Sequence, residues 1–329
     1  MKVGIIGCGF IGEKRAKTLA SGQLRACCDL DIKRAEQLAA VYPGAKSYGD
    51  WQDLVNDPAI NVVIISVSHH LLAEIGLAAL QSGKHILIEK PGARFAHELT
   101  PLLQVATTKK LCARVGFNHR YHRSLQKAKQ LIEAGELGEL MFLRGRYGHG
   151  GRLGYDREWR ADPVLSGGGE LIDQGVHLID LARWFFGEFE QIEGFAHTYY
   201  WDMPVDDNAF LLLRTSTQQA AHIHVSCTEW KNTFSLEIYG KKGKIELSGL
   251  GGSYGVEKII FYKMLPEMGP PETYAWEYPM ADHSWQQEWD RFMLDIQEHR
   301  VPDAGLHDAQ QALKIVEKIY RSSGYDHYA

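Results

Sequence analysis

The 329-residue sequence contains no apolar run approaching the ~18 residues that a membrane-spanning helix requires, and no charged leader followed by a short apolar stretch. Membrane spanning and secretion are therefore not expected. Its five cysteines are odd in number and never fall into C-x-x-C spacing, which argues against a disulfide framework or a thiolate metal site. H-E-x-x-H is absent as well, and His222 and His224, which would share one strand face, have no evident third ligand; no metal is expected. A net charge of −5 gives no general attraction to nucleic acid or to an anionic membrane, so any phosphate site must be local. There is no internal repeat and no low-complexity segment. Free thiols in apolar context fit a reducing cytoplasm.

What is present has two rhythms. Strand-like runs at 2–6, 24–28, 61–67, 85–88 and 112–117 alternate with helical patterns at 11–20, 32–41, 71–81 and 99–108, which predicts a parallel, doubly wound sheet. The continuous run Asn61-Val62-Val63-Ile64-Ile65-Ser66-Val67 suits a strand buried on both faces. After about residue 120 the pattern changes. A helix at 124–134 and a strand at 140–147 precede a Gly/Arg-rich loop and a further helix. Strand-like runs then follow at 191–199, 209–215, 220–228, 233–239, 244–247 and 258–262, without intervening helices. That predicts a second, α+β domain with a large and mainly antiparallel open sheet, closed by helices at 284–298 and 308–321. The expected domains are thus 1–120 and 121–329.

Three constellations carry chemistry. Gly7-Cys8-Gly9-Phe10-Ile11-Gly12 follows the first strand and opens a helix, where the glycines permit a tight turn, backbone approach to a pyrophosphate and close helix packing. Asp29 ends the next strand; a carboxylate there accepts from an adenosine ribose and repels a 2′-phosphate, favouring NAD, although Lys33 and Arg34 leave NADP open. Glu89-Lys90-Pro91 ends a later strand, on the side of an open sheet where ligands gather. In the second half, Glu170, Asp173, His177 and Asp180 follow three glycines. At roughly 100° per residue they span an arc of about 80° on one helix face. Carboxylates around an imidazole compose a site for moving a proton.

With Ala79-Leu80-x-x-Gly83-Lys84-His85-x-x-x-Glu89-Lys90-Pro91 and the 167–180 segment added to the glycine loop, the chain resembles the Gfo/Idh/MocA family, which includes glucose–fructose oxidoreductase, inositol dehydrogenases and nucleotide-sugar dehydrogenases. The resemblance implies a Rossmann domain, a substrate domain, and a homodimer or homotetramer formed through the open sheet, with helices 284–321 packing back toward the Rossmann domain. By position, Lys90 corresponds to the catalytic lysine, Asp173 to a substrate contact and His177 to the acid/base. Gly7, Gly9, Phe10, Ile11, Gly12, Asp29, Glu89 and Lys90 are the expected cofactor contacts. The implied activity is NAD(H)-dependent interconversion of a secondary alcohol and a ketone on a sugar, cyclitol or nucleotide sugar, with Lys90 polarising the reacting oxygen.

One stretch departs from the family pattern: Val67-Ser68-His69-His70-Leu71-Leu72 stands where Thr-Pro-Asn-x-x-His is usual, and both histidines are expected at the surface. The loop at 147–160 offers Arg152, Trp159 and Arg160 as candidate substrate contacts, arginine to grip an anion and an aromatic ring to stack on a sugar. Asp180 is a candidate orienter of His177, and Glu170 a complement to the helix dipole. The rival readings are an NAD-using glycoside hydrolase of the same fold and a non-catalytic dinucleotide-sensing regulator.

Overall fold

A computed structural model describes residues 1–325. The chain forms two compact units: Met1–Phe117 with Trp285–Leu313, and Asn118–Ser284 with the chain from Lys314 onward. The penultimate helix thus belongs to the first unit, and the last helix runs across the division.

The first unit contains β1 (Val3–Ile6), α1 (Phe10–Ala16), β2 (Leu24–Cys28), α2 (Ile32–Val41), β3 (Lys46–Tyr48), α3 (Trp51–Asn56), β4 (Val62–Ile65), α4 (His69–Gln81), β5 (His85–Ile88), α5 (Leu99–Lys109) and β6 (Ala113–Val115). Its six strands are all parallel, in the order β3-β2-β1-β4-β5-β6. The β-branched run forms β4, and all four of its residues are buried, because helices cover both faces. One core cluster joins Val3, Ile5, Leu24, Cys27, Val62, Ile64 and Leu87 to Ala35 and Leu38 of α2 and to Trp289, Phe292 and Ile296. The last three lie on one face of α9 (Ser284–Gln297). All five cysteines are buried free thiols, and burial pushes Cys28 and Cys112 up to about 12, so they serve as packing groups. The strand order reverses beside β1, whose neighbours are β2 and β4, and this switch point places the glycine loop.

The second unit opens with α6 (Arg123–Glu133) and β7 (Leu140–Gly148). A short α7 (Pro163–Ser166) and α8 (Val176–Phe186) precede β8 (Gln191–His197), β9 (Asn208–Arg214), β10 (Ala220–Ser226), β11 (Thr233–Gly240), β12 (Gly243–Ser248), β13 (Glu257–Lys263) and β14 (Glu272–Tyr278). The eight-stranded sheet runs β14-β13-β12-β11-β7-β10-β9-β8. Every pair is antiparallel except β7–β10, which is parallel. Alternation is strict on β11: Phe234, Leu236 and Ile238 are buried, while Ser235, Glu237 and Tyr239 face outward. Leu178 of α8 sits over Gly145 of β7, where a Cβ would come within 3.3 Å of its side chain. A glycine at this point lets the helix lie close on the inner face. α10 (Leu306–Ser322) is the last helix among the described residues. No helix among the described residues is long and apolar enough to cross a membrane.

Candidate active site

In the first unit, the geometry explains each glycine of the loop after β1. A Cβ at Gly7, where φ is +92°, would lie 2.3 Å from the Ser66 carbonyl oxygen, and one at Gly12 would lie 2.0 Å from the Gly7 carbonyl oxygen. Nothing lies within 4 Å of a Cβ at Gly9, so the backbone there faces open space at the N-terminus of α1. Ser66 Oγ donates to the Gly7 carbonyl at 2.8 Å and braces the turn. Asp29 accepts from the backbone N–H of Cys8 at 2.8 Å and of Asp31 at 3.0 Å, so it holds the loop from the end of β2. An open backbone crest, a helix N-terminus and a carboxylate at the neighbouring strand end suit a dinucleotide. Phe10 is exposed and Lys14 lies over its ring; Ile11 is half-buried.

Glu89 is buried within the first unit. Its buried carboxylate is held by Arg15, which donates from Nε at 2.8 Å and Nη2 at 2.6 Å to Oε1, while Arg15 Nη1 donates to Glu288 at 2.5 Å. Burial pushes the Glu288 carboxyl up, against the pull of Arg15. A Cβ at Gly116 would collide with both Arg15 and Glu89, so the pair is enclosed. Glu89 thus fixes the chain beside Lys90 and is committed inside the protein. Lys90 is half-buried and precedes Pro91 in a cis peptide. In the atypical segment, Ser68 occupies the N-cap position of α4 without a side-chain capping bond, His69 is buried at 3% exposure and His70 Nδ1 lies 3.1 Å from Ser68 Oγ. The expectation of a surface site fails for His69 because the helix starts at that residue and turns its side chain inward.

In the second unit, the glycine triplet exists for close approach. Gly167, at φ +80°, ends α7; a Cβ on Gly168 would lie 2.4 Å from Tyr320 Oη, and one on Gly169 would lie 1.9 Å from the Asp206 carbonyl oxygen. Asp206 accepts from Gly169 N and Leu171 N, both at 2.8 Å, and from Tyr320 Oη at 2.6 Å. Burial pushes the Asp206 carboxyl up to about 6, against these hydrogen bonds.

The segment held in this way is not the regular α-helix that the spacing predicts. Leu171–Gly175 is one π-helical turn that runs into α8. Such turns re-aim side chains and concentrate at functional sites. The polar stripe is buried: Glu170 is 1%, Asp173 4%, His177 4% and Asp180 1% exposed. Each member has a different neighbour. Asp173 Oδ2 accepts from Arg160 Nε at 3.0 Å, and Asp173 together with Tyr155 and Glu158 holds the Arg160 guanidinium above its ordinary range, against burial. The His177 ring stacks on His119, centroids 3.7 Å apart and planes 16° apart. The Asp180 carboxylate accepts from Arg120 Nε at 2.8 Å and Nη2 at 2.6 Å. Glu170 stands at the N-cap of the π-turn, and its Oε2 lies 3.5 Å from His149 Nε2 and 3.4 Å from Tyr155 Oη.

The other loop candidates separate. Arg152 is exposed and paired with Glu158 at 2.6 Å, and Trp159 carries the Arg160 guanidinium over its ring. Five residues near the polar segment were missed: His119, Arg120, His149, Tyr147 and Tyr254. Tyr147 is edge-on to His119, with centroids 5.2 Å apart, and packs against Tyr254. The signal for two of them was present, since Asn118-His119-Arg120-Tyr121-His122 crowds polar rings directly after a strand end.

Comparison with known proteins agrees with this arrangement. Residues 1–117 match the model of the oxidoreductase family with an NAD-binding Rossmann fold, and residues 125–246 match the GFO/IDH/MocA C-terminal domain. The chain is 27% identical over 291 residues to a levoglucosan dehydrogenase of Pseudarthrobacter phenanthrenivorans, across 74% of this chain and 73% of that protein. It is 29% identical over 194 residues to an inositol 2-dehydrogenase of Salmonella typhimurium, across 57% of this chain and 55% of that protein. A solved levoglucosan dehydrogenase in complex with NADH shares the fold, with a TM-score of 0.87, 24% identity, and coverage of 98% of this chain and 96% of that one. The chain belongs to the GFO/IDH/MocA oxidoreductase family, with an NAD-binding Rossmann fold in its N-terminal part.

Proposed function

We propose that this protein is an NAD(H)-dependent dehydrogenase that interconverts a secondary alcohol and a ketone on a sugar or cyclitol. The observation that carries the reading is the His177 imidazole, stacked on His119 and one helical turn from Asp173. A buried ring whose plane is fixed by a second ring is oriented for proton transfer before substrate arrives. Relatives named for levoglucosan and inositol support the substrate class.

NAD, when bound, supplies the hydride acceptor. Gly9 and the α1 N-terminus would carry its diphosphate, and Asp29 the adenosine ribose. His177 takes the hydroxyl proton as the alcohol is oxidised and returns it in the reverse direction. The exchanging atom is Nε2, since Nδ1 is enclosed by protein. Asp173 accepts a hydrogen bond from a substrate hydroxyl while Arg160 fixes the position of its carboxylate. Lys90 polarises the reacting oxygen.

The outer face of the eight-stranded sheet carries Phe142 stacked on Tyr239, together with exposed Phe195 and Leu212. These exposed apolar side chains support association of two or four copies, to be read by light scattering.

The function is tested by following NADH formation with NAD and levoglucosan, myo-inositol and D-glucose. Turnover of at least one is expected. Release of an aglycone from a glycoside without net NADH would instead favour a hydrolase, and NADH binding without turnover of any substrate a sensor.

A further inference from the structure

The proposed reaction makes no use of Glu257. This residue shares the buried face of β13 with Ile259 and Phe261 and is 7% exposed. A carboxylate on such a face costs free energy unless donors surround it, and here they do. Oε1 meets His122 Nδ1 at 2.7 Å and the Gly251 N–H at 3.4 Å, while Oε2 accepts from Ser124 N and Ser124 Oγ, both at 3.3 Å. Burial pushes the Glu257 carboxyl up, but the hydrogen bond and charge of His122 and the N–H groups of Ser124 and Gly251 hold it below the usual carboxylate range. An ionised carboxylate only accepts, so His122 Nδ1 carries the proton and the ring is turned towards Glu257. The two oxygens thus have separate tasks. Oε2 meets the first turn of α6, whose N-cap residue supplies no side-chain bond, and Oε1 holds an imidazole.

That imidazole leads towards the proposed acid/base. The His122 ring is edge-on to His119, with centroids 5.6 Å and planes 86° apart, and His119 is the ring stacked on His177. The torsion that sets an imidazole plane has a broad energy profile, so the plane follows the contacts around it. Tyr147 and Phe234 also stand edge-on to His119, with centroids at 5.2 and 6.4 Å. Phe234 has no polar group, and Tyr147 bonds to another phenol, Tyr254. Among these edge-on rings, His122 is the one that a hydrogen bond ties to an ionised group. Asn118 completes the setting: its Oδ1 lies 3.3 Å from His119 Nδ1, and its Nδ2 donates to Ser284 Oγ at 2.9 Å.

We infer that Glu257 is a positioning residue: by turning His122 it sets, through His119, the plane of the His177 imidazole. The inference rests on the reading of His177 as the acid/base of a dehydrogenase. Glu257 acts through two rings, and His177 remains the group that exchanges the proton.

The test compares wild type, Glu257→Gln, His119→Ala, the double variant and Ser124→Ala, each as the full chain, with NAD and the best of the substrates named above. Glu257→Gln keeps the shape of the side chain and removes its charge. It should lower kcat by ~10-fold, with KM within about twofold of wild type. In the His119→Ala background, where the link is already cut, the same change should lower kcat by less than about twofold. Ser124→Ala loosens only the contact with α6; it should lower the melting temperature and leave kcat as in wild type. An unchanged kcat in Glu257→Gln, an equal fall in both backgrounds, or the same fall in Ser124→Ala overturns the inference. A readout without turnover separates it from the dehydrogenase reading. The ring-nitrogen NMR resonances of His177, assigned by their absence in His177→Ala, should shift in Glu257→Gln and stay in place in Ser124→Ala. If they do so while no substrate is oxidised, the positioning stands and the dehydrogenase reading falls. Resonances that do not move in Glu257→Gln overturn the inference whatever the turnover. If Glu257→Gln does not fold, His122→Phe, which keeps a ring beside His119 that the carboxylate cannot hold, is judged by the same outcomes.

Discussion

Replacing Tyr320 by Phe removes one hydroxyl from the anchor of the polar segment and leaves its packing in place. That hydroxyl donates to Asp206 at 2.6 Å and accepts from Gly169 N at 3.1 Å and Ile172 N at 3.3 Å. Gly169 N keeps a bond to Asp206, whereas Ile172 N loses the acceptor. A hydrogen bond to a charged group contributes about 1.5–3 kcal/mol, and stranding a buried N–H costs about 1–3 kcal/mol, so Tyr320→Phe should destabilise by about 3–5 kcal/mol. The loss should also depend on pH. Asp206 is raised in the folded state, to about 6, from an unfolded value near 3.9. The proton therefore stabilises the fold below about pH 4, and that contribution disappears as pH rises through about 6. The hydroxyl of Tyr320 holds the Asp206 carboxyl down against burial. In its absence the folded value climbs further, and the deficit of the variant grows from pH 5 to pH 8. Urea or thermal unfolding of both proteins across that range reads the difference directly, with other titrating groups cancelling. A deficit that is constant with pH, or largest at pH 5, would refute the account of Asp206 as a charged anchor. Because the anchored segment carries Asp173 and His177, turnover should fall more than NADH affinity.

Other outcomes follow from the nucleotide end. Gly12→Ala places a methyl 2.0 Å from the Gly7 carbonyl oxygen, and an isothermal titration should show NADH affinity falling by ~100-fold or more as the loop moves off its backbone geometry. Asp29→Ala removes the acceptor of the Cys8 N–H as well as the expected ribose contact. Steady-state kinetics with both cofactors should show weaker NAD use and a narrowed NAD-to-NADP ratio; an unaltered ratio would count against Asp29 as the selector.

Much of the fold was legible because its strongest signals are periodic. The run at residues 61–67 and the alternation around Phe234, Leu236 and Ile238 declare a two-sided and a one-sided strand. The elements missed are short or peripheral. β3 is three residues long and mostly exposed, and α3 is one and a half turns. β14 is an edge strand whose rings, Tyr274 and Trp276, share a face with the buried Phe261 and Ile259 of β13 but resemble loop aromatics when no partner strand is visible. At the candidate site, the sequence displays Asp173 and His177 but not their partners. Residues such as His119, Arg120 and Asp206 lie tens of positions away in sequence and reach the segment only through sheet topology. The π-turn is likewise invisible to a 3.6-residue period, so the sequence placed four polar side chains on one helix face. The fold buries all four and gives each its own neighbour.

The central claim is that His177 carries the proton in an NAD-linked alcohol oxidation, and rapid-mixing measurement of NADH formation by wild type and His177→Ala, with the best neutral polyol and saturating NAD, tests it most directly. The account predicts a rate lower by ~10²–10⁴ in the variant, with NADH affinity retained and the dependence of the rate on pH in the imidazole range abolished. A rate within about threefold of wild type, with the same pH dependence, would contradict it.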